Sequence, residues 1–234
     1  MIGYDRPLEP EWIYHTLNSI VPGSKPQDFY DSYIKLAVER IGKDGRRKTR
    51  TVLFRTFIYS FQEQTSVIEN NMLIELCHKH DMEYMKPILL SKLIIDYELL
   101  RFLTKKLSQI FDPTQDISST ALTKKMVEEF GDIEIVKRST RAFLKTLSDF
   151  KLLIQIGTTK FRQVSWALLT HEQVRDILLL FASVNKTKHI DLRHLDTTIF
   201  SFYQKPDLQQ VANEFNSKDW DYIRGVNREI LMIK

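Results

Sequence analysis

The sequence predicts a mainly α-helical fold carrying one β-hairpin, and three observations lead there. Glycine and proline number only seven each in 234 residues, and a fold rich in turns needs more of both. Apolar residues recur at helical spacing along most of the chain. Only one stretch, around Gly157, alternates as a strand pair does. With 43% hydrophobic and 27% charged residues, the chain has enough apolar surface for a core, and a wholly disordered state is excluded.

Residues 1–10 are expected to form an ordered lead-in, with Pro7 and Pro10 preventing a helix before Glu11. Ile13, Leu17 and Ile20 then mark a first helix, closed by Val21-Pro22-Gly23. Asp28 is placed to cap a second, carrying Phe29, Tyr33, Leu36 and Ala37 and ending before Gly42. A third starts with arginines at 46, 47 and 50 and continues through Val52, Leu53, Phe54 and Phe57 to Phe61. Segments 66–79, 85–94 and 96–111 follow, the last with Leu99, Leu103 and Leu107 as its stripe and Asp96 as its cap. Phe111-Asp112-Pro113-Thr114 interrupts the pattern, so the boundary divides the chain into a helical N-terminal domain, 1–112, and a second domain, 113–234.

In the second domain, Ser118 or Ser119 caps a helix with Leu122, Met126 and Phe130, stopped by Gly131. The next helix, 135–150, is two-faced at 100° per residue. Arg138, Arg141 and Lys145 share one side; Phe143, Leu147 and Phe150 share the other. Leu152 to Ile156, the turn Gly157-Thr158-Thr159, and an alternating run from Lys160 make a hairpin. Helix, turn, basic helix and hairpin in that order predict a winged helix-turn-helix. Thr170-His171-Glu172-Gln173 is a capping box that opens a helix to about 185. Asp191 is placed to cap a segment to 202, and Asp207 another helix with Leu208, Val211, Ala212 and Phe215. A short strand over 228–234 ends a mainly helical tail, expected to pack on the winged helix or the N-terminal bundle.

The formal charge of +4 hides a segregation. Between 43 and 55, Lys43, Arg46, Arg47, Lys48, Arg50 and Arg55 oppose Asp44, net +5. Between 137 and 162, Lys137, Arg138, Arg141, Lys145, Lys151, Lys160 and Arg162 oppose Asp149, net +6. The rest of the chain is therefore −7, a distribution that points to a polyanionic partner. In a helix-turn-helix the second helix enters the major groove. Lys137, Arg138, Arg141 and Lys145 thus become candidate contacts to duplex DNA, with Ser139 and Thr140 beside them. Lys160 and Arg162 are candidates on the wing, and Arg46, Arg47 and Arg50 form a second basic surface. Arginine and lysine contacts of this kind position a duplex and carry little sequence preference.

Other chemistries find little footing. Cys77, His78 and His80 are metal-ligand types, but 77 and 78 diverge by about 100° on a helix and no second pair lies nearby. His189 and His194 are five apart and share no helical face. There is no phosphate-cradling glycine loop, no G-x-S-x-G and no C-x-x-C. The expectation is a non-enzyme without metal or cofactor. One cysteine excludes an internal disulfide and suits a reducing, cytoplasmic setting. The chain opens without a signal-like apolar stretch, and its apolar runs are far short of the roughly 20 residues that span a bilayer, so no membrane association is expected.

The arginine-rich stretch Arg46-Arg47-Lys48-Thr49-Arg50-Thr51-Val52-Leu53-Phe54-Arg55, and the run from Val136-Lys137-Arg138-Ser139-Thr140-Arg141 to Asp149-Phe150, resemble the BrxA-type small helical proteins of BREX phage-defence systems. Lys151 stands where that resemblance calls for glycine. The resemblance implies a non-enzymatic, DNA-binding accessory of a prokaryotic antiphage system, working beside larger methyltransferase and ATPase partners. Two other functions fit the same elements: an adaptor whose winged helix contacts a protein, and a winged-helix transcription regulator, which would need a dimer and a specific operator.

Overall fold

The computed structural model describes residues 3–30, 42–110, 115–164 and 167–234. The helix expected over 29–41 falls almost wholly outside them, as do Pro113 at the expected boundary and Trp166 in the hairpin's second strand.

Among the described residues, the N-terminal half is a bundle of five helices: α1 (Pro10–Ser19), α2 (Lys43–Phe57), α3 (Met72–Lys79), α4 (Met82–Asp96) and α5 (Glu98–Ile110). α4 is its axis. Every residue from Pro87 to Ile95 is buried, as expected of a helix apolar on nearly all sides. α1, α2, α3 and α5 pack around it. Side-chain caps set the helix starts: Asn71 accepts from the Leu73 and Ile74 amides at 2.9 and 3.1 Å, and Asp81 from the Tyr84 amide at 2.9 Å. Asp96 does not cap the following helix. It ends α4, and its carboxylate pairs with Lys92, a buried ammonium that also donates to Ser60 at 3.0 Å. The third predicted helix is shorter than expected, α2 ending at Phe57 before a 3₁₀ turn at Tyr59–Phe61.

Strand β1 (Asp116–Ser118) leads directly into α6 (Ser119–Phe130), whose N-terminus Ser118 caps at the Ala121 amide. Gly131, at φ +87°, closes α6 in a conformation that favours glycine. α7 (Glu134–Asp149) and the strands β2 (Leu153–Gly157) and β3 (Lys160–Gln163) follow. β3 lies between β1 and β2, antiparallel to both.

The tail departs most from expectation. α8 (His171–Val184) starts at the predicted capping box and packs along α4. The Tyr84 hydroxyl donates to Asp176 at 2.7 Å and Ser91 Oγ to the Ile199 carbonyl at 3.2 Å. Beyond α8 lies a second three-stranded antiparallel sheet, β4 (His189–Asp191), β6 (Glu229–Ile233) and β5 (Trp220–Arg224) in spatial order, with α9 (Leu208–Glu214) beside α8. The single-hairpin expectation is therefore corrected to two small sheets. Asp191 caps no helix: it sits in β4 and its carboxylate meets His194 at 2.8 Å, while Asp196 caps the 3₁₀ turn Thr197–Phe200. Trp220 is fully buried and donates from Nε1 to the Ala212 carbonyl at 2.9 Å, which pins β5 under α9.

Candidate nucleic-acid interface

α7 exposes a single stripe. Glu134, Arg138, Arg141 and Lys145 face solvent, while Val136, Phe143 and Leu147 are fully buried. The spacing of four, three and four residues keeps the stripe on one side of the helix. Three of its cationic neighbours are locally paired. Arg138 donates to Glu134 at 2.8 Å, Lys145 to Asp149 at 2.7 Å, and Lys137 pairs with Asp132. Arg138 holds the Glu134 carboxyl below its usual range by donating to its ionised form. Arg141 makes no ion pair among the described residues. An exposed pair one helical turn apart, such as Arg138–Glu134, adds little stability, so a phosphate can replace that carboxylate at little cost.

Ser139 and Thr140 are corrected. Both are fully buried. Thr140 Oγ1 donates back to the Val136 carbonyl at 2.8 Å, and Ser139 lies under Gly3, whose Cα approaches so closely that a Cβ there would stand 2.6 Å from Ser139 Oγ. Neither hydroxyl reaches a ligand. Their place near the helix start, which suggested groove contact, is covered by residues 3–8.

An ordered lead-in was expected, but its seat on α7 was not signalled by the sequence. The Tyr4 hydroxyl donates to Thr146 Oγ1 at 3.1 Å, and the Leu8 amide donates to the same oxygen at 3.0 Å. The Tyr4 ring meets Tyr97 edge-on at 5.2 Å, and burial raises the Tyr4 hydroxyl's pKa, keeping it a neutral donor. Residues 3–8 thus lie between α2 and α7 and join the two basic clusters. One cleft of about 450 Å³ runs between Asp5 and the flank of α2, where Arg47, Lys48, Arg50 and Arg55 line it. A second, about 470 Å³, lies between Asp5–Pro7 and Arg138, Arg141 and Lys145. A third, about 450 Å³, lies between Arg141, Lys145, Thr123 of α6 and Thr158, Thr159 and Phe161 of the hairpin. Asp5 borders the first two clefts, and Arg141 and Lys145 the last two, so the three form one trough.

The trough gathers Arg47, Arg50, Arg138, Arg141 and Lys145 from the predicted set, and adds Lys48 and Arg55. The spacing of 47, 51 and 55 on one helical face was the available signal for Arg55. Arg46 is half-buried and outside the cleft wall. Arg162 stands opposite Asp116 in the β1–β3 register and donates to it at 2.7 Å, on the sheet face away from buried Phe161. Lys160 lines none of the three clefts, so the wing cations are not brought to the trough.

Among the described residues no three histidine, cysteine, aspartate or glutamate side chains are placed to hold a metal, and no helix is long and apolar enough to cross a membrane. None of the protein families, curated proteins or solved structures compared with the chain matches it.

Proposed function

We propose that the chain is a non-enzymatic DNA-binding protein that lays duplex backbone along the basic trough, with α6 and α7 as a helix-turn-helix and β2–β3 as its wing. The observation that carries this is the convergence of two basic clusters, about ninety residues apart in sequence, on one concave surface. The β1–α6–α7–β2–β3 order with β3 central supports the winged-helix reading. So does the division of α7 into a cationic outer stripe and an apolar inner one. Buried Ser139 and Thr140 leave mainly arginine and lysine for contact, which favours phosphate over base recognition. The resemblance to BrxA-type proteins adds a setting: an accessory of a prokaryotic antiphage system acting beside methyltransferase and ATPase subunits.

A salt series on random duplex DNA tests the reading. With five to seven of the trough cations engaged, log K falls with log salt at a slope of about −5 to −6. Replacing Arg138, Arg141 and Lys145 together by alanine removes most of the binding, whereas the same change at Lys124, Lys125 and Lys218 costs much less. No binding at about 50 mM salt, or equal losses from both triple variants, overturns it. A second reading, a protein adaptor, draws on one observation: β2 is a sheet edge with Ile154 and Ile156 exposed, and exposed apolar edges pair readily with other chains.

A further inference from the structure

The first cleft differs in kind from the rest of the trough. Of the three α7 cations that line the trough, two are matched by carboxylates of their own helix. In the α2 cleft, Arg47, Lys48, Arg50 and Arg55 face, among the described residues, a single carboxylate, Asp5, a net charge of +3 from those residues around one pocket of about 450 Å³. None of these four cations is ion-paired among the described residues. The cleft runs along the flank of α2 from its second turn to its last, so it is not a helix-terminus effect. Its size falls within the range of small-molecule sites, and low-dielectric walls focus the field of charges set into a concavity.

Two of the guanidinium groups are held in place before any ligand arrives. Arg50 stacks on the Tyr30 ring, 3.8 Å from its centroid. Arg55 donates from Nη2 to the Tyr97 hydroxyl at 3.3 Å; Tyr97 is fully buried, and its hydroxyl is also 2.6 Å from Thr56 Oγ1. Each arginine spends one face or one N–H on the protein and keeps the rest of its fork for an oxyanion. Fixing the forks in advance reduces the ordering cost of binding. A duplex strand carries one charge per about 3.4 Å of axis, whereas a chain of linked phosphates concentrates three or more charges within one pocket. The α2 cleft matches the second distribution.

We propose that the α2 cleft is a binding site for a linked phosphate chain, either the triphosphate of a nucleotide or inorganic polyphosphate. Among the described residues the base has no platform there, because Arg50 covers Tyr30 and Tyr4 is buried; recognition is of the phosphates. This site stands whether or not the trough binds DNA.

Calorimetric titration of the full chain at about 100 mM salt, where long-range surface attraction is screened beyond about 10 Å, separates the sources. Sodium tripolyphosphate and ATP are expected to bind one to one with affinities within about threefold of each other, and AMP about tenfold or more weaker. Arg50→Gln with Arg55→Gln is expected to lose about tenfold or more. Arg47→Gln with Lys48→Gln, at exposed positions, gives a smaller loss without touching Tyr97 or Tyr30. The alanine triple at Arg138, Arg141 and Lys145 leaves the affinity unchanged, even though it removes duplex binding. The proposal is overturned if neither ligand binds, if ATP binds and tripolyphosphate does not, or if several equivalents bind and the α7 triple loses as much as the α2 pair.

Discussion

Gly3→Ala is the most informative single change in this molecule, because it tests whether the lead-in is seated on α7. The new Cβ would lie 2.6 Å from Ser139 Oγ, 3.0 Å from Ser139 Cβ and 3.7 Å from Leu99 Cβ. Ser139 cannot yield easily: it is fully buried in the middle of a helix, where few χ1 rotamers are open to it. Overpacking of this kind costs about 1–3 kcal/mol, and in a chain of this size each kcal/mol lowers Tm by about 2–4 °C. Gly3→Ala should therefore lower Tm by about 4–8 °C for a cost near 2 kcal/mol. Ser139→Ala removes the 2.6 Å contact but leaves the one at 3.0 Å. It also deletes a buried hydroxyl that has no hydrogen-bond partner among the described residues, so alone it should be neutral or stabilising by up to about 1 kcal/mol. The double variant should recover more than half of the Gly3→Ala loss, a coupling of about 1 kcal/mol or more in a thermodynamic cycle. Thermal or urea unfolding of the four proteins measures it. An unchanged Tm for Gly3→Ala, or strictly additive effects, would show that the lead-in does not lie on Ser139, and the trough would lose the segment that joins its ends.

Three further outcomes are expected. Lys92→Met should cost about 3–5 kcal/mol in urea unfolding, because it strips the buried Asp96 carboxylate of its ammonium; Lys92→Met with Asp96→Leu should recover most of that loss. Burial pushes the Cys77 thiol up to about 12, so a thiol reagent at pH 8 should leave the native chain unmodified and label one thiol per chain in denaturant. His194 holds the Asp191 carboxyl below its usual value by a hydrogen bond to its ionised form. That contribution is present above the unfolded value of about 3.9 and fades as pH falls through the lower folded value, so His194→Ala should flatten the acid side of the stability profile and leave its alkaline side unchanged.

Local chemistry made much of the fold legible. The capping box at Thr170, the cap at Asp207 and the stop at Gly131 each occur where their side chains or φ angles demand, because a cap is satisfied within three residues of itself. α7 was readable for the same reason: its two faces follow from 3.6-residue periodicity alone. β4 and β5 were not. Three residues such as His189–Asp191 have no strand signature of their own and become a strand because β6, some forty residues later, supplies their hydrogen bonds. The same holds for β1, which exists as the outer partner of β3.

The candidate site divides along that line. Composition and periodicity alone determined that Arg138, Arg141 and Lys145 share a face, and that a second cationic cluster begins α2. Only the tertiary structure decided that the two belong to one trough, that Ser139 and Thr140 are lost to the core, and that Arg162 is directed to Asp116. The reason is physical: a helix's outward side is set by its own apolar stripe, but what covers that side depends on segments distant in sequence. Here the deciding contact is Tyr4 and Leu8 on the single hydroxyl of Thr146, across about 140 residues of chain whose intervening helices had to pack before the two could meet.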